Sequence, residues 1–422
     1  MKNKKNILFI SALDFKEKSI QVIKKTPVYY VKNGWDVIYI VLRDNSKHGN
    51  YFYEKEIFLE GVKLYRIYLP LTNLIDNIKI KAIRSIINKI RYYFGIIKMV
   101  KIASKILKKE RIDVLYGYEY HGVLSILFLK ILGKIDKNIK IVSRFQGVYY
   151  YYYLKTRNYF KLLLNFDHKI ALKFPVDLLI MTNDGTEGDW VLNKIKSKNI
   201  CNLKFWVNGV DELKLPEEEI IKLRNILNLN NKIVLLTVCR LVEWKRVERG
   251  IYVVEKLVKK YNVSNLVYFI IGEGTERKKL EELVKELNLT DNIDFIGGVS
   301  NDEVKKYLNI ANIFISAYDV SNVGNPLLEA IRANKIIFTL NNGTTNKWIQ
   351  HKKNGFIYEI NDNTIENMAE DIYYLINNKD LMQKITDNIR ITEREKLWTW
   401  EERLNTEIKE VERLLTTNEN QI

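Results

Sequence analysis

The strongest constraint on the fold is an alternation that runs twice along the chain. Residues 6–12 (NILFISA) are a short apolar run. Residues 20–33 repeat apolar positions at three and four and stop at Asn33-Gly34, and residues 35–41 (WDVIYIV) are apolar again. A short apolar run between turn residues reads as a buried strand, and strand, helix, strand at this spacing opens a parallel, doubly wound sheet. Further strands are predicted at 62–68, 112–116, 139–145 and 177–182, most of them separated by helical patterns. A second series begins after "NGVDELKLPEEE" (208–219). It has strands predicted at 232–239, 266–271, 292–296, 312–317 and 335–340, with helices at 248–260, 275–287 and 302–309. At 422 residues the chain exceeds one ordinary core. The restart puts a domain boundary near 195–212. The tail 391–415 reads as strongly helical, and "GVYYYYYLKTRNYF" (147–160) as a loop-like stretch. Its aromatics suit stacking on sugar rings, anchoring at a membrane interface, or a packed cluster.

Cys201 and Cys239 are far apart, which argues against a disulfide scaffold or zinc and suits a reducing compartment. The first apolar run is too short for a signal peptide, and no run of about 18 apolar residues is present to span a membrane. The expected location is therefore the cytoplasm. The net charge of +17 favours an acidic partner, although a lysine-rich composition also follows from genomic base bias. Residues 78–109 concentrate that charge, with apolar residues at three and four and Lys or Arg between them. A basic amphipathic helix of this kind suits an anionic membrane surface, and a helix packed on a sheet with a solvated basic face would read the same. No helix-turn-helix, zinc or RNA-recognition signature accompanies the charge, so nucleic acid is not an expected partner.

The chemistry lies in the second half. Strand 232–239 is followed by Arg240 and Lys245, and cations at a strand end beside helix N-termini suit a diphosphate, although a strand-end Arg is commonly just solvated. Gly272-Glu273-Gly274 after the next strand lets the backbone turn sharply and approach a ligand, but it lacks the third glycine of a dinucleotide fingerprint. Gly298 and Val299 lie in a turn whose backbone could meet a base edge, and a simple turn with a helix cap would read the same. In "AYDVSNVGNPLLEAI" (317–331), small polar residues join a strand to a helix. The backbone amides of Gly324, Asn325 and Leu327 would face a ligand, Pro326 pre-sets the helix start, and Glu329, one turn in, could accept two hydrogen bonds from a ribose diol. A first-turn acid complementing the helix dipole would explain Glu329 equally well.

The order of these pieces resembles a retaining glycosyltransferase of family 4. "NGVD" (208–211), "RLVEWK" (240–245), "GEG" (272–274), "IGGVS" (296–300), "GNPLLEA" (324–330), "NNG" (341–343) and "KNGF" (353–356) carry the likeness, most strongly over 208–360. The resemblance implies a GT-B fold: two Rossmann-like, doubly wound α/β domains facing across a cleft, with a C-terminal helix crossing back to the first. The domains would be 1–205 for the acceptor, 206–395 for the nucleotide sugar, and 396–422 for the helix. It further implies that Arg240 and Lys245 bind the diphosphate, Glu329 the ribose, Gly298 and Val299 the base, and Gly324–Leu327 the sugar and phosphate. His121, in "YGYEYHGVL" (116–124), falls on a histidine beside the reacting sugar. The implied reaction moves a sugar from a UDP- or GDP-sugar to a glycan or lipid-linked acceptor, with no metal and no other cofactor. A cell-surface glycan precursor at the inner face of the membrane is the acceptor expected. The sequence departs from the family at three places. Ser321 stands where a glutamate contacts the donor sugar, with Asp319 two residues before it as a substitute. Arg246 replaces a glycine, and "SALDFKEKSIQ" (11–21) replaces a glycine-rich loop. These departures keep a second reading in view, a nucleotide-sugar-binding protein of the same fold with weakened turnover.

Overall fold

The structure is a computed structural model, and it describes residues 4–13, 21–44, 46 and 58–416. The described residues form two compact units, each built on one sheet.

The first unit takes in the described residues up to Asn183, then Glu187–Val207 and the chain from Glu402. Its strands are β1 (Asn6–Ser11), β2 (Asp36–Arg43), β3 (Val62–Tyr68), β4 (Val114–Tyr118), β5 (Lys140–Phe145), β6 (Leu178–Thr182) and β7 (Leu203–Trp206). They pair in parallel in the order β3-β2-β1-β4-β5-β6-β7. Its helices are α1 (Gln21–Lys32), α2 (Thr72–Asn77), α3 (Lys81–Lys109), α4 (Glu119–Ile131), α5 (Tyr150–Lys155), α6 (Tyr159–Leu164), α7 (Phe166–Lys173) and α8 (Gly188–Lys194). The central strands are buried on both faces, which is why they read as continuous apolar runs and not as alternation.

The second unit comprises Asn208–Glu401 and the short segment Asp184–Thr186. Its strands are β8 (Ile233–Val238), β9 (Leu266–Ile271), β10 (Ile293–Gly297), β11 (Ile313–Ser316), β12 (Ile336–Leu340) and β13 (Phe356–Tyr358). They are parallel in the order β10-β9-β8-β11-β12-β13. The helices are α9 (Glu217–Ile226), α10 (Glu248–Lys259), α11 (Arg277–Glu286), α12 (Asn301–Ile310), α13 (Asn325–Arg332), α14 (Thr364–Ile376) and α15 (Lys379–Lys396), and α16 (Trp400–Thr416) follows.

Two strands escape the sequence pattern. Four-residue β7 lies inside the stretch read as the boundary, and β13 has only three residues. The aromatic stretch read as a loop forms the short helices α5 and α6. The helical tail is two helices, broken at Leu397–Thr399. The loop 11–21 that replaces the glycine-rich one lies mostly outside the described residues.

The last helix is fixed to the first sheet by a buried ionic cluster. Glu407 of α16 accepts from Arg144 of β5 at 2.8 Å, from Arg403 at 3.0 Å and from the Tyr116 hydroxyl of β4 at 2.8 Å. The Arg403 guanidinium also covers the Trp206 ring of β7 at 4.5 Å. Arg144, Arg403 and Glu407 are completely buried, so the carboxylate is what makes two guanidinium groups tolerable there.

Candidate functional site

In the second sheet the strand order reverses between β8 and β11. Ligands of open α/β sheets bind beyond the carboxyl ends of the strands at such a switch point. The loops that leave β8 and β11 carry most of the residues singled out above.

After β8 the chain exposes Arg240 and then makes a single 3-10 turn, Glu243–Lys245. The Lys245 ammonium lies 3.8 Å from the ring centre of Tyr318, just beyond β11, and 4.3 Å from that of Trp244. Burial pulls this ammonium down from its ordinary 10.5 to about 8. The Arg240 charge works in the same direction, and Cys239 and Asp184 oppose it. An anion placed here would restore the proton that burial disfavours. The two loops are tied by backbone contacts: Asp319 donates its amide to the Trp244 carbonyl (3.1 Å), and Arg249 of α10 donates to the Ala317 carbonyl (2.7 Å).

Arg246 has φ 46° and ψ 43°, the left-handed region. A side chain there costs about 1 kcal/mol, which is the physical reason for a glycine at that place. Its guanidinium pairs with Glu248 at 2.6 Å and lies 3.8 Å from Asp319. Asp319 itself is engaged by Arg249 at 2.7 Å. The carboxylate considered as a substitute for the missing glutamate is thus held by guanidinium groups of the β8 side.

Ser321 also adopts a positive φ, 57°, and its hydroxyl donates to Asp184 at 3.2 Å. Asp184 takes two further hydrogen bonds, from the Thr186 amide (3.0 Å) and hydroxyl (2.6 Å). Burial raises its pKa, and these hydrogen bonds act against that. A carboxylate therefore does stand beside position 321, contributed by a residue 137 positions earlier in the chain. Nothing local in the sequence signals it.

Gly324 precedes α13, with Pro326 in the first turn. The Leu327 amide donates to the Gly324 carbonyl at 3.1 Å. The Gly324 and Asn325 amides donate to nothing among the described residues. Asn325 is held by its side-chain oxygen, which accepts from Asn208 at 2.9 Å. Glu329 is the fifth residue of α13, beyond the first turn, so complementing the dipole does not explain it well. Gly298 and Val299 sit between β10 and α12, two strands from β8.

Several of the telling motifs prove to be scaffold. A Cβ on Gly272, at φ +137°, would lie 1.8 Å from the Cys239 carbonyl, and one on Gly274 would lie 2.1 Å from that of Leu241. The close approach these glycines permit is to the Arg240 loop. A Cβ on Gly209 would meet Trp400 at 2.5 Å, so "NGVD" seats the start of α16. Asn342 of "NNG" bonds the Tyr318 carbonyl at 2.9 Å and accepts the Asn322 amide at 3.4 Å, which shapes the loop around Ser321.

In the first unit, His121 lies on the first turn of α4 and stacks on Tyr92 of α3, centroids 4.7 Å apart. His168 of α7 stacks on Tyr120 at 3.7 Å. Burial pulls both imidazoles to about 4, so both rings are neutral at neutral pH. They line a pocket of roughly 160 Å³ between α3, α4, α6 and α7. The structure places His121 with these helices. Among the described residues no three His, Cys, Asp or Glu side chains are grouped to hold a metal ion, and no helix is long and apolar enough to cross a membrane.

Residues 219–392 match the family "Glycosyl transferases group 1". An uncharacterized glycosyltransferase of Haemophilus influenzae is 28% identical over 195 residues, which are 46% of this chain and 53% of the relative. The alpha-monoglucosyldiacylglycerol synthase of Acholeplasma laidlawii is 23% identical over 42% of this chain and 43% of its own length. The chain thus spans about half the length of the curated relatives it matches. Anabaena Alr3699/HepE, solved in complex with UDP-glucose, superposes with a TM-score of 0.70 at 15% identity, covering 96% of this chain and 98% of that one. The fold is GT-B, and residues 219–392 carry the likeness to the group 1 glycosyltransferases.

Proposed function

We propose that the protein transfers a sugar from a nucleoside diphosphate sugar, a UDP- or GDP-sugar, to a lipid-linked or cell-surface glycan precursor, with retention of configuration as in family 4. The observation that carries this reading is the placement of Lys245 against Tyr318 where the second sheet reverses, with Arg240 on the same loop. Arg240, Lys245 and the Gly324 and Asn325 amides at the start of α13 stabilise the charge that develops on the leaving diphosphate. That is preorganised electrostatics, and it runs without a metal ion. Glu329 takes the ribose diol, Gly298 and Val299 border the base, and Ser321, Asp319 and Pro326 border the donor sugar. His121 serves the acceptor side. The domains are 1–205 for the acceptor, 206–395 for the donor and 396–422 for the closing helix.

A lipid acceptor is supported by the diacylglycerol glycolipid named in the Acholeplasma relative and by the composition of α3. The protein then works as a peripheral protein on the inner face of a membrane, with 78–109 against anionic lipid. The second reading, a nucleotide-sugar-binding protein with weakened turnover, is favoured by Ser321 being tied to Asp184. Incubation with a panel of nucleotide sugars and membrane lipid extract decides between them. Glycolipid formation that survives EDTA and keeps the anomeric configuration supports the transferase. Tight nucleotide-sugar binding with no product supports the binding protein.

A further inference from the structure

Helix α3 carries large apolar residues on two sides. Gly95, Ile96, Met99 and Ala103 are buried. Ile83, Ile86, Ile90, Phe94 and Ile97 are between 46% and 63% exposed, and their spacing of three and four keeps them on one outward face. Exposed Lys98, Lys101 and Lys105 continue the same face toward the C-terminus. The outward side is thus apolar in its first half and basic in its second, not uniformly basic. Helix α6 adds Tyr159, Phe160 and Leu163, each about three-quarters exposed. A contiguous exposed apolar surface of this kind marks an interaction site.

The helices are joined at the pocket that contains His121. Lys89 of α3 bonds the Leu164 carbonyl and pairs with Asp167 of α7 at 2.9 Å, and the Tyr93 hydroxyl donates to Asp167 at 3.0 Å. The polar lining includes Ser85, Lys89, Asn165, Asp167, His121 and His168. At roughly 160 Å³ the pocket is far larger than the 10–15 Å³ needed for one water. Lys89 and Asp167 cancel each other's charge, and the two imidazoles are neutral. Neither imidazole makes a hydrogen bond among the described residues, and both residues line the pocket. A neutral imidazole donates through one nitrogen and accepts through the other, as a hydroxyl does through its single oxygen. Two such rings beside a carboxylate and an amide therefore suit vicinal hydroxyls. A second anion would be repelled by Asp167 and would find Lys89 already matched.

We propose that this pocket binds the hydroxylated headgroup, glycosyl or glycerol, of an uncharged lipid whose apolar part lies over the exposed side chains of α3 and α6. The basic half of α3 meets the anionic lipids around it. The proposal deepens the reading of His121 on the acceptor side and rests on it, but binding of this headgroup needs no turnover and is measured apart from it. It also holds if the nucleotide site proves inactive.

Sedimentation with vesicles tests it. Two sets carry the same anionic lipid content, one with added glucosyldiacylglycerol and one with phosphatidylcholine in its place. The expected result is about tenfold tighter binding to the glucosyl set, lost in His168→Phe, which keeps the stacked ring, while binding to the phosphatidylcholine set is unchanged. Equal affinity for the two sets, or an unchanged preference in the variant, overturns it. Methyl glucoside that competes as well as the lipid would remove the apolar face from the account, and phosphatidic acid that replaces the glycolipid would make the pocket an anion site; both outcomes refute it. Should His168→Phe not fold, the imidazole C–H resonances of the wild-type protein give the answer. They shift with glucosyldiacylglycerol micelles and not with detergent alone if the proposal holds, and stay in place if it fails.

Discussion

Replacing Lys245 with Met removes the ammonium and keeps most of the side chain's length. In the free protein the charged form is disfavoured, since burial brings this lysine from 10.5 to about 8. At 1.36 kcal/mol for each tenfold, that is a penalty of about 3 kcal/mol on the folded state at neutral pH. The rings of Tyr318 and Trp244, 3.8 and 4.3 Å away, return about 0.5–2 kcal/mol through cation–π attraction. Lys245→Met is therefore expected to stabilise the protein by about 1–3 kcal/mol at pH 7, and to weaken nucleoside diphosphate binding by about a hundredfold or more. The pH dependence carries a sign. Below pH 8 the lysine is charged in both folded and unfolded chains, and the folded protein bears the whole penalty. Between pH 8 and 10.5 the folded protein gives up its proton first, so wild-type stability climbs toward that of the variant. Urea midpoints across that range, with calorimetric titration of UDP, test both halves. A variant less stable than wild type at pH 7, a stability gap that stays constant from pH 7 to 10.5, or UDP affinity within twofold of wild type would refute the reasoning.

Other perturbations have outcomes of comparable definition. Glu407→Ala leaves two buried guanidinium groups uncompensated and should cost about 3–5 kcal/mol in urea unfolding. Gly272→Ala drives a methyl group into the Cys239 carbonyl at φ +137°, so nucleotide affinity should fall through displacement of the Arg240 loop and stability should drop by about 3 kcal/mol or more. His121 and His168 titrate near 4 when folded and near 6.5 when unfolded; the unfolded chain takes the protons first, so stability should be lost as pH falls from 6.5 toward 4, and His168→Phe should flatten that slope in thermal melts.

The doubly wound sheets were legible because parallel strands are buried on both faces, and runs such as those at β1, β8 and β9 are therefore unbroken. β7 and β13 were not, since four and three residues among charged neighbours carry too little pattern. Strand-end position drew attention to the Arg240–Lys245 pair and the start of α13, and the resemblance to a family supplied the roles expected of them. Asp184 could not be read, because its contact with Ser321 joins residues far apart in sequence; Asn208 and Asn342 stand in quoted motifs, but their partners Asn325 and Asn322 were not legible. Periodicity showed that α3 is a helix with apolar residues at three and four. It could not say which of its two apolar arcs meets the sheet, so the exposed one was hidden. The glycine motifs were legible as constraints but not in their cause, which is the close passage of one loop against another.

The most direct test of the account is release of nucleoside diphosphate from a panel of UDP- and GDP-sugars in the presence of lipid vesicles, with Lys245→Met as the blank. The account predicts that at least one donor yields nucleoside diphosphate and a glycosylated lipid in equal amounts, and that the variant yields neither. Product formation that persists in the variant would contradict it. So would a wild-type protein that neither binds nor turns over any member of the panel.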